Sequence, residues 1–405
     1  MEVIQINIAS KRPISSLDVI SILSKFETSI LDLYYIDVHG TFSLTIVIEF
    51  PHLERKKEFV KEILYLGYLK DFIVQVNSID EKEYEDWVKK RQKKNFILTV
   101  LGWEITGVHL KEVLRLIEKN GLSISFVNRL SDLKSSEEKK KSISCFEFYL
   151  KGDFVDLDKI HSDILDLSQR LEIDLGFQED NIYRRHRRLI AFDMDSTLIK
   201  IEVIDELAKR KGVYDKVCEI TKRAMEGEID FKQSLKERVS LLKGLELDVL
   251  EQVARDLPLT DGAYRLIKTL KILGYKVAII SGGFLFFGNR LKNTLGIDYV
   301  FANDLEIRDG KLTGKVRGEI IDGPKKAEIL VDLAKRENIS LKQVIAVGDG
   351  MNDLPMLKIA GLGIAFRAKP LVKIGAKQSI SNVGLDGILY FLGLKETELA
   401  NLTDV

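Results

Sequence analysis

Three short apolar runs, each ending in a polar turn, constrain this chain more than any other feature. Leu189-Ile190-Ala191 leads into Phe192-Asp193-Met194-Asp195-Ser196-Thr197, and Val277 to Ile280 leads into Ser281-Gly282-Gly283. Val344 to Val347 leads into Gly348-Asp349-Gly350-Met351-Asn352-Asp353. Such short, continuously apolar runs read as buried strands. In an open parallel sheet their ends lie side by side, so turns far apart in sequence converge on one site. Asp193 and Asp195 stand in the two-residue period of a strand and so face one way. Like charges that close repel, and a magnesium ion is the usual means of holding one ionised. A carboxylate beside a metal can attack phosphorus, with a neighbouring acid protonating the departing alcohol. The plainer alternative is an acidic strand end that binds nothing. Glycines around Asp349 permit a tight turn, and the Ser281 hydroxyl with the amides after it suits phosphate oxygens. Lys325-Lys326 opens a helical pattern, Ala327 to Lys335, and one lysine would neutralise a phosphate with Asp353 as counter-ion.

Composition narrows the classes. The 405 residues suffice for two to three domains. Lys+Arg and Asp+Glu both number 62, so the chain lacks the basic footprint of a nucleic-acid binder. Apolar stretches such as Tyr275 to Gly288 are too short and too glycine-broken to span a membrane. Met1 to Ile6 has no basic region before an apolar core, which makes the cytoplasm the expected location. The two cysteines, Cys145 and Cys218, argue against a disulfide framework or a cysteine zinc site. All five histidines, His39, His52, His109, His161 and His186, precede Asp193. The half after them therefore has no phosphohistidine, serine–histidine pair or histidine-bound metal, and oxygen ligands favour magnesium over zinc.

Together these motifs resemble those of the haloacid dehalogenase superfamily of aspartate-nucleophile phosphatases, most closely its phosphoserine phosphatases, over roughly residues 189 to 393. The resemblance implies Asp193 as nucleophile and Asp195 as general acid and base. It implies magnesium on the Asp193 side chain, the Asp195 carbonyl and Asp349. Ser281, Gly282, Lys326 and Asn352 would hold the phosphoryl group, and Asp353 would orient Lys326.

Residues 200 to 258 read as helices that would cover the strand ends and select the leaving group. An amino-acid phosphate offers an ammonium and a carboxylate, and an arginine fork suits the latter. The resemblance assigns Glu202 to the ammonium, Arg238 to the carboxylate, and Met225 and Phe231 to apolar walls. Read without it, Glu202 and Arg238 are surface charges on amphipathic helices.

The first 178 residues carry an internal β-α-β-β-α-β repeat rather than catalytic motifs. Ile4, Ile6 and Ile8 alternate, Leu17, Ile20 and Leu23 follow at helical spacing, and Phe42 to Phe50 alternates strictly. A helix from Leu53 to Leu66 and a strand from Phe72 to Val76 close the first unit. The second comprises strands Phe96–Leu101, Leu122–Leu130, Ser144–Leu150 and Ile173–Gly176 with helices Val108–Asn120 and Leu157–Leu171. Ser135 to Lys141 is its expected hairpin loop. The pair resembles ACT domains, amino-acid-sensing modules, which implies an effector site near Gly102 and Gly107, with serine as the candidate effector. Exposed sheet edges favour a homodimer.

The expected fold is α/β: a Rossmann-like parallel sheet with a small helical cap, preceded by two ferredoxin-like domains of ACT type. The divisions are 1–78 and 95–178 for the ACT-like domains, 79–94 for a charged linker, with Asp80 to Lys94 open to a helix, and 179–188 for a basic, solvated linker. The catalytic core takes 189–199 and 259–394, around a cap at 200–258. The expected activity is magnesium-dependent hydrolysis of phosphoserine to serine, the last step of serine biosynthesis. Hydrolysis or transfer of another small phosphate such as phosphohomoserine, and an amino-acid-binding regulatory protein, remain open alternatives.

Overall fold

A computed structural model describes residues 2–91, 93–132, 143–153 and 155–402. The chain forms two compact units, 1–93 and 94–405.

The first unit is one antiparallel sheet of β1 (Glu2–Ser10), β2 (Ser29–Val38), β3 (Thr41–Phe50) and β4 (Ile73–Ile79), in the order β2-β3-β1-β4. Alternation buries Ile4, Ile6 and Ile8 of β1 against Leu44, Ile46 and Ile48 of β3. Helices Ser16–Lys25 and Lys56–Lys70 close that face, with Val19, Leu23, Phe59 and Ile63 buried. Sequence patterning leaves β2 unmarked because its apolar residues fall on both faces of an edge strand, and Tyr34, Ile36 and Val38 stay exposed. Of the two readings of the segment between the units, linker or helix, Glu81–Arg91 takes the helix.

The second unit begins with β5 (Lys94–Gly102), β6 (Ser123–Arg129), β7 (Ser144–Gly152) and β8 (Asp174–Glu179). Their order, β6-β7-β5-β8, repeats that of the first sheet. The expected hairpin loop Ser135–Lys141 lies outside the described residues. Seven further strands form the main sheet: β9 (Leu189–Phe192), β10 (Lys276–Phe284), β11 (Tyr299–Arg308), β12 (Lys311–Arg317), β13 (Val344–Gly348), β14 (Leu362–Phe366) and β15 (Gln378–Ile380). Their order is β12-β11-β10-β9-β13-β14-β15, all parallel except β12. Strands β9 and β13 are buried at every residue, as helices on both faces require.

This architecture places β9 between β10 and β13, so the three motif turns are neighbours. The chain leaves the core at Ile199 and returns at Leu259, which pair antiparallel. Between them lie helices Val203–Lys211, Tyr214–Met225, Phe231–Leu241 and Leu247–Arg255.

Two residues of the basic pentad Arg184 to Arg188 depart from the solvated linker expected from its charge. Arg184 is 1% exposed and pairs with the buried Glu147 of β7. Arg187 is buried as well, donating to Gln178 and to the Lys342 carbonyl. A buried carboxylate demands a counter-ion, and the pentad supplies it. The same joint buries Asp174 of β8, whose carboxylate accepts the backbone N–H groups of Ser381, Asn382 and Val383. Gln378 of β15 in turn bonds both the N–H and the carbonyl of Phe177.

Candidate active site

The loop after β9 brings its two aspartates together through a turn rather than through strand alternation. Strand pairing stops at Phe192, and Ser196 adopts a left-handed conformation at φ 58°. The Asp193 N–H donates to the Val347 carbonyl at 2.8 Å, tying the loop to β13. The Asp195 carboxylate accepts the Val203 N–H at 3.1 Å, where the first cap helix begins. Gly283 makes room for it: a Cβ there would lie 2.2 Å from Asp195 Oδ2. Gly283 was part of the glycine doublet in the sequence, but its service to Asp195 was not legible there.

Lys326 is completely buried, with Nζ 2.8 Å from Asp193 Oδ1 and 2.6 Å from Asp353 Oδ1. Burial works against its charge, yet the two carboxylates outweigh it and raise the ammonium above its ordinary range. Lys325 instead faces Glu319 and Glu328 at 2.9 and 2.8 Å, so Lys326 is the member of the doublet at the aspartates. Their helix, Gly323–Arg336, starts on Asp322, which caps it by accepting the Lys325 N–H.

Asp193, Asp349 and Asp353 offer oxygens within 4.8 Å of one another. Burial, then the charge of Asp193, pushes Asp349 up to about 7, and Asp353 rises to about 6 for the same two reasons. Burial also raises Asp195, with Glu202 and Asp193 adding to it. An all-oxygen cluster whose negative charge exceeds its local positive charge fits a hard divalent cation. Asp353 commits one oxygen to Lys326 and the other to the Gly350 N–H at 2.9 Å. Asp349 commits only Oδ1, to the Thr197 hydroxyl at 2.7 Å. Asp193 and Asp349 are therefore the better placed of the three to hold a metal.

Ser281 is buried beside them, its hydroxyl accepting the Gly283 N–H at 2.9 Å. Asn303 of β11 braces this turn, donating to the Gly282 carbonyl at 2.8 Å and accepting the Ile321 N–H at 2.9 Å. Nothing in the sequence around Asn303 marked that role, because it depends on a contact between three separated segments. Thr197 and Ser196 sit in the first motif but also acquired partners only in the fold.

Above these groups opens a cleft of about 1050 Å³, lined by core turns and cap helices alike. Glu202, Met225, Phe231, Arg238, Ser281, Gly282 and Asn352 all line it. Glu202 accepts the Ser196 hydroxyl at 2.7 Å, and burial raises its carboxyl above the usual range. Burial depresses Arg238, while the nearby charges of Glu202 and Asp205 oppose that loss. The Phe231 ring reaches the phosphate-type turn: a Cβ on Gly282 would lie 2.8 Å from its Cζ. Lys232 of the same cap helix pairs with Asp322 of the core at 3.1 Å. Of the two glycines assigned to an effector site, Gly102 packs tightly on Ile173 and Ile105, whereas Gly107 faces open space. Both lie apart from this cleft, on the second antiparallel sheet and the helix after it.

A family model for haloacid dehalogenase-like hydrolases matches residues 187–361. The phosphoserine phosphatase of Archaeoglobus fulgidus is 52% identical over 227 residues, which are 56% of this chain and 66% of that protein. That of Streptomyces coelicolor is 40% identical over 303 residues, 75% of this chain and 72% of that one. The unliganded crystal structure of a probable phosphoserine phosphatase from Vibrio cholerae aligns at 35% identity with a TM-score of 0.59, covering 78% of this chain and 90% of that one.

Proposed function

The chain belongs to the phosphoserine phosphatases among the haloacid dehalogenase-like hydrolases, and from that premise we infer that it converts O-phospho-L-serine and water to L-serine and phosphate. The observation that carries this reading is one cleft with Asp193 and Asp349 at its base, Lys326 buried against Asp193, and Glu202 and Arg238 on its walls.

In the first step an oxygen of Asp193 attacks phosphorus, and the bond from phosphorus to the serine oxygen breaks. Asp195, kept protonated by burial and by its acidic neighbours, gives its proton to that oxygen. In the second step Asp195 takes a proton from water, whose oxygen attacks the aspartyl phosphate and frees Asp193. Lys326 offsets phosphoryl charge throughout, and the Ser281 hydroxyl with the Gly282 N–H binds its oxygens. Asp353 keeps the Lys326 ammonium aimed at Asp193. Glu202 receives the substrate ammonium and Arg238 its carboxylate, while Met225 and Phe231 form apolar walls. Magnesium, held by Asp193, Asp349 and the Asp195 carbonyl, would supply positive charge against the phosphoryl oxygens.

The antiparallel repeats support a further reading: a homodimer formed through exposed strand edges such as β2, and a serine effector bound near Gly107. A phosphate-release screen over phosphorylated amino acids, sugars and nucleotides, with and without magnesium, tests the assignment. Phosphoserine with magnesium is the expected best substrate, and a flat profile or a preferred sugar phosphate would overturn it.

A further inference from the structure

Helix Phe231–Leu241 turns one face to the cleft, with Phe231, Ser234, Leu235 and Arg238 all lining it. Ser234 is 1% exposed, and its Oγ has no hydrogen-bond partner among the described residues. A helical serine normally returns its hydroxyl to the carbonyl one turn back. Here the Asp230 carbonyl receives the Ser234 N–H at 2.9 Å, but not the hydroxyl. A buried donor left unpaired costs stability, so a persistent one points to a partner that arrives later.

The neighbour one turn on identifies that partner's chemistry. Arg238 donates its Nε to the Ser234 carbonyl at 3.4 Å, which fixes the guanidinium beside this residue. That is the one hydrogen bond the guanidinium gives among the described residues, so its two terminal nitrogens remain for a ligand. A carboxylate bound to that fork still has lone pairs to spare, and a dry hydroxyl next to it is a strong donor to one of them.

Resting on the phosphoserine reading, we propose that Ser234 is a specificity-determining residue whose hydroxyl donates to the substrate carboxylate held by Arg238. No covalent change is involved; the bond forms on binding and breaks on release of serine.

The test is Ser234→Ala, assayed on O-phosphoserine and on O-phosphoethanolamine, which keeps the ammonium and the phosphate but lacks the carboxylate. Loss of one hydrogen bond to a charged group should raise KM for phosphoserine roughly tenfold or more, with a much smaller change in kcat. The KM for phosphoethanolamine should stay unchanged. The Tm of the free enzyme should hold or rise, because alanine is the better helix former and no native hydrogen bond is lost. An unchanged KM for phosphoserine, an equal rise on both substrates, or a lowered Tm would each overturn the proposal. Failure of the wild-type enzyme to prefer phosphoserine over phosphoethanolamine would instead overturn the functional reading beneath it.

Discussion

The roles proposed for the ionisable groups at the site differ from one another, and this makes the residues separable by experiment. Asp193→Asn keeps the shape but removes the proposed nucleophile, so phosphate release should vanish while the circular dichroism spectrum stays native; retained turnover would reject Asp193. Asp195→Asn should slow the reaction by about 10²–10⁴-fold, the usual worth of general acid–base help, with the deficit read in steady-state kcat. Arg238→Ala should raise KM for phosphoserine and leave an aryl phosphate nearly untouched, since only the amino-acid substrate has a carboxylate for the fork. The pH dependence follows from the raised carboxyls. Asp349 at about 7 and Asp353 at about 6 hold protons in the metal-free folded state that the unfolded chain releases near its ordinary carboxylate value. These two groups therefore stabilise the metal-free fold below that value, and their contribution declines as pH rises toward 7. A cation must displace the Asp349 proton at low pH and finds the carboxylate ready above 7. The gain in Tm from magnesium should accordingly be larger at pH 7.5 than at pH 5.5; a gain that grows on acidification would contradict the assigned ligand. The residue types were legible in the motifs themselves. Their protonation was not, because burial decides it.

At the scale of elements, β8 is where an antiparallel sheet is joined to the catalytic one. Asp174 accepts three backbone N–H groups from residues 381–383, and its removal would leave all three buried without acceptors. Asp174→Ala should therefore cost about 3 kcal/mol or more in denaturant unfolding, whereas exposed Glu179→Ala on the same strand should cost little. Equal midpoints for the two variants would show the joint to be incidental. The Val383 carbonyl also receives the Arg367 guanidinium at 3.4 Å, and Arg367 lines the cleft, so the joint reaches the site through one side chain. Alternation and helical spacing revealed most elements of the two repeats. They left out β2, whose apolar residues are not confined to one face.

For the molecule as a whole, the division into 1–93 and 94–405 predicts how the chain can be cut. A protein beginning at Lys94 should fold, with a Tm and kcat close to those of the full chain. One beginning near Arg187 should be insoluble or much less stable, because it loses Arg184, Asp174 and the sheet that covers Phe391. A well-folded, fully active protein from Arg187 would refute the joint. The motif order D-x-D-x-T, S-G-G, lysine and G-D-x-x-N-D, together with three short apolar runs, already pointed to a parallel sheet and to a phosphatase site at one end of its central strands. Such runs can be buried only between two layers of helices, and their turns must then share one end of the sheet. The same sequence could not say that Asn303 braces the turn after β10, that the Ser234 hydroxyl has no partner among the described residues, or that two arginines of a basic pentad, Arg184 and Arg187, lie inside the protein. Those facts depend on which distant groups meet and on whether water reaches them. Contacts between segments and the loss of solvent exist only once the chain has folded.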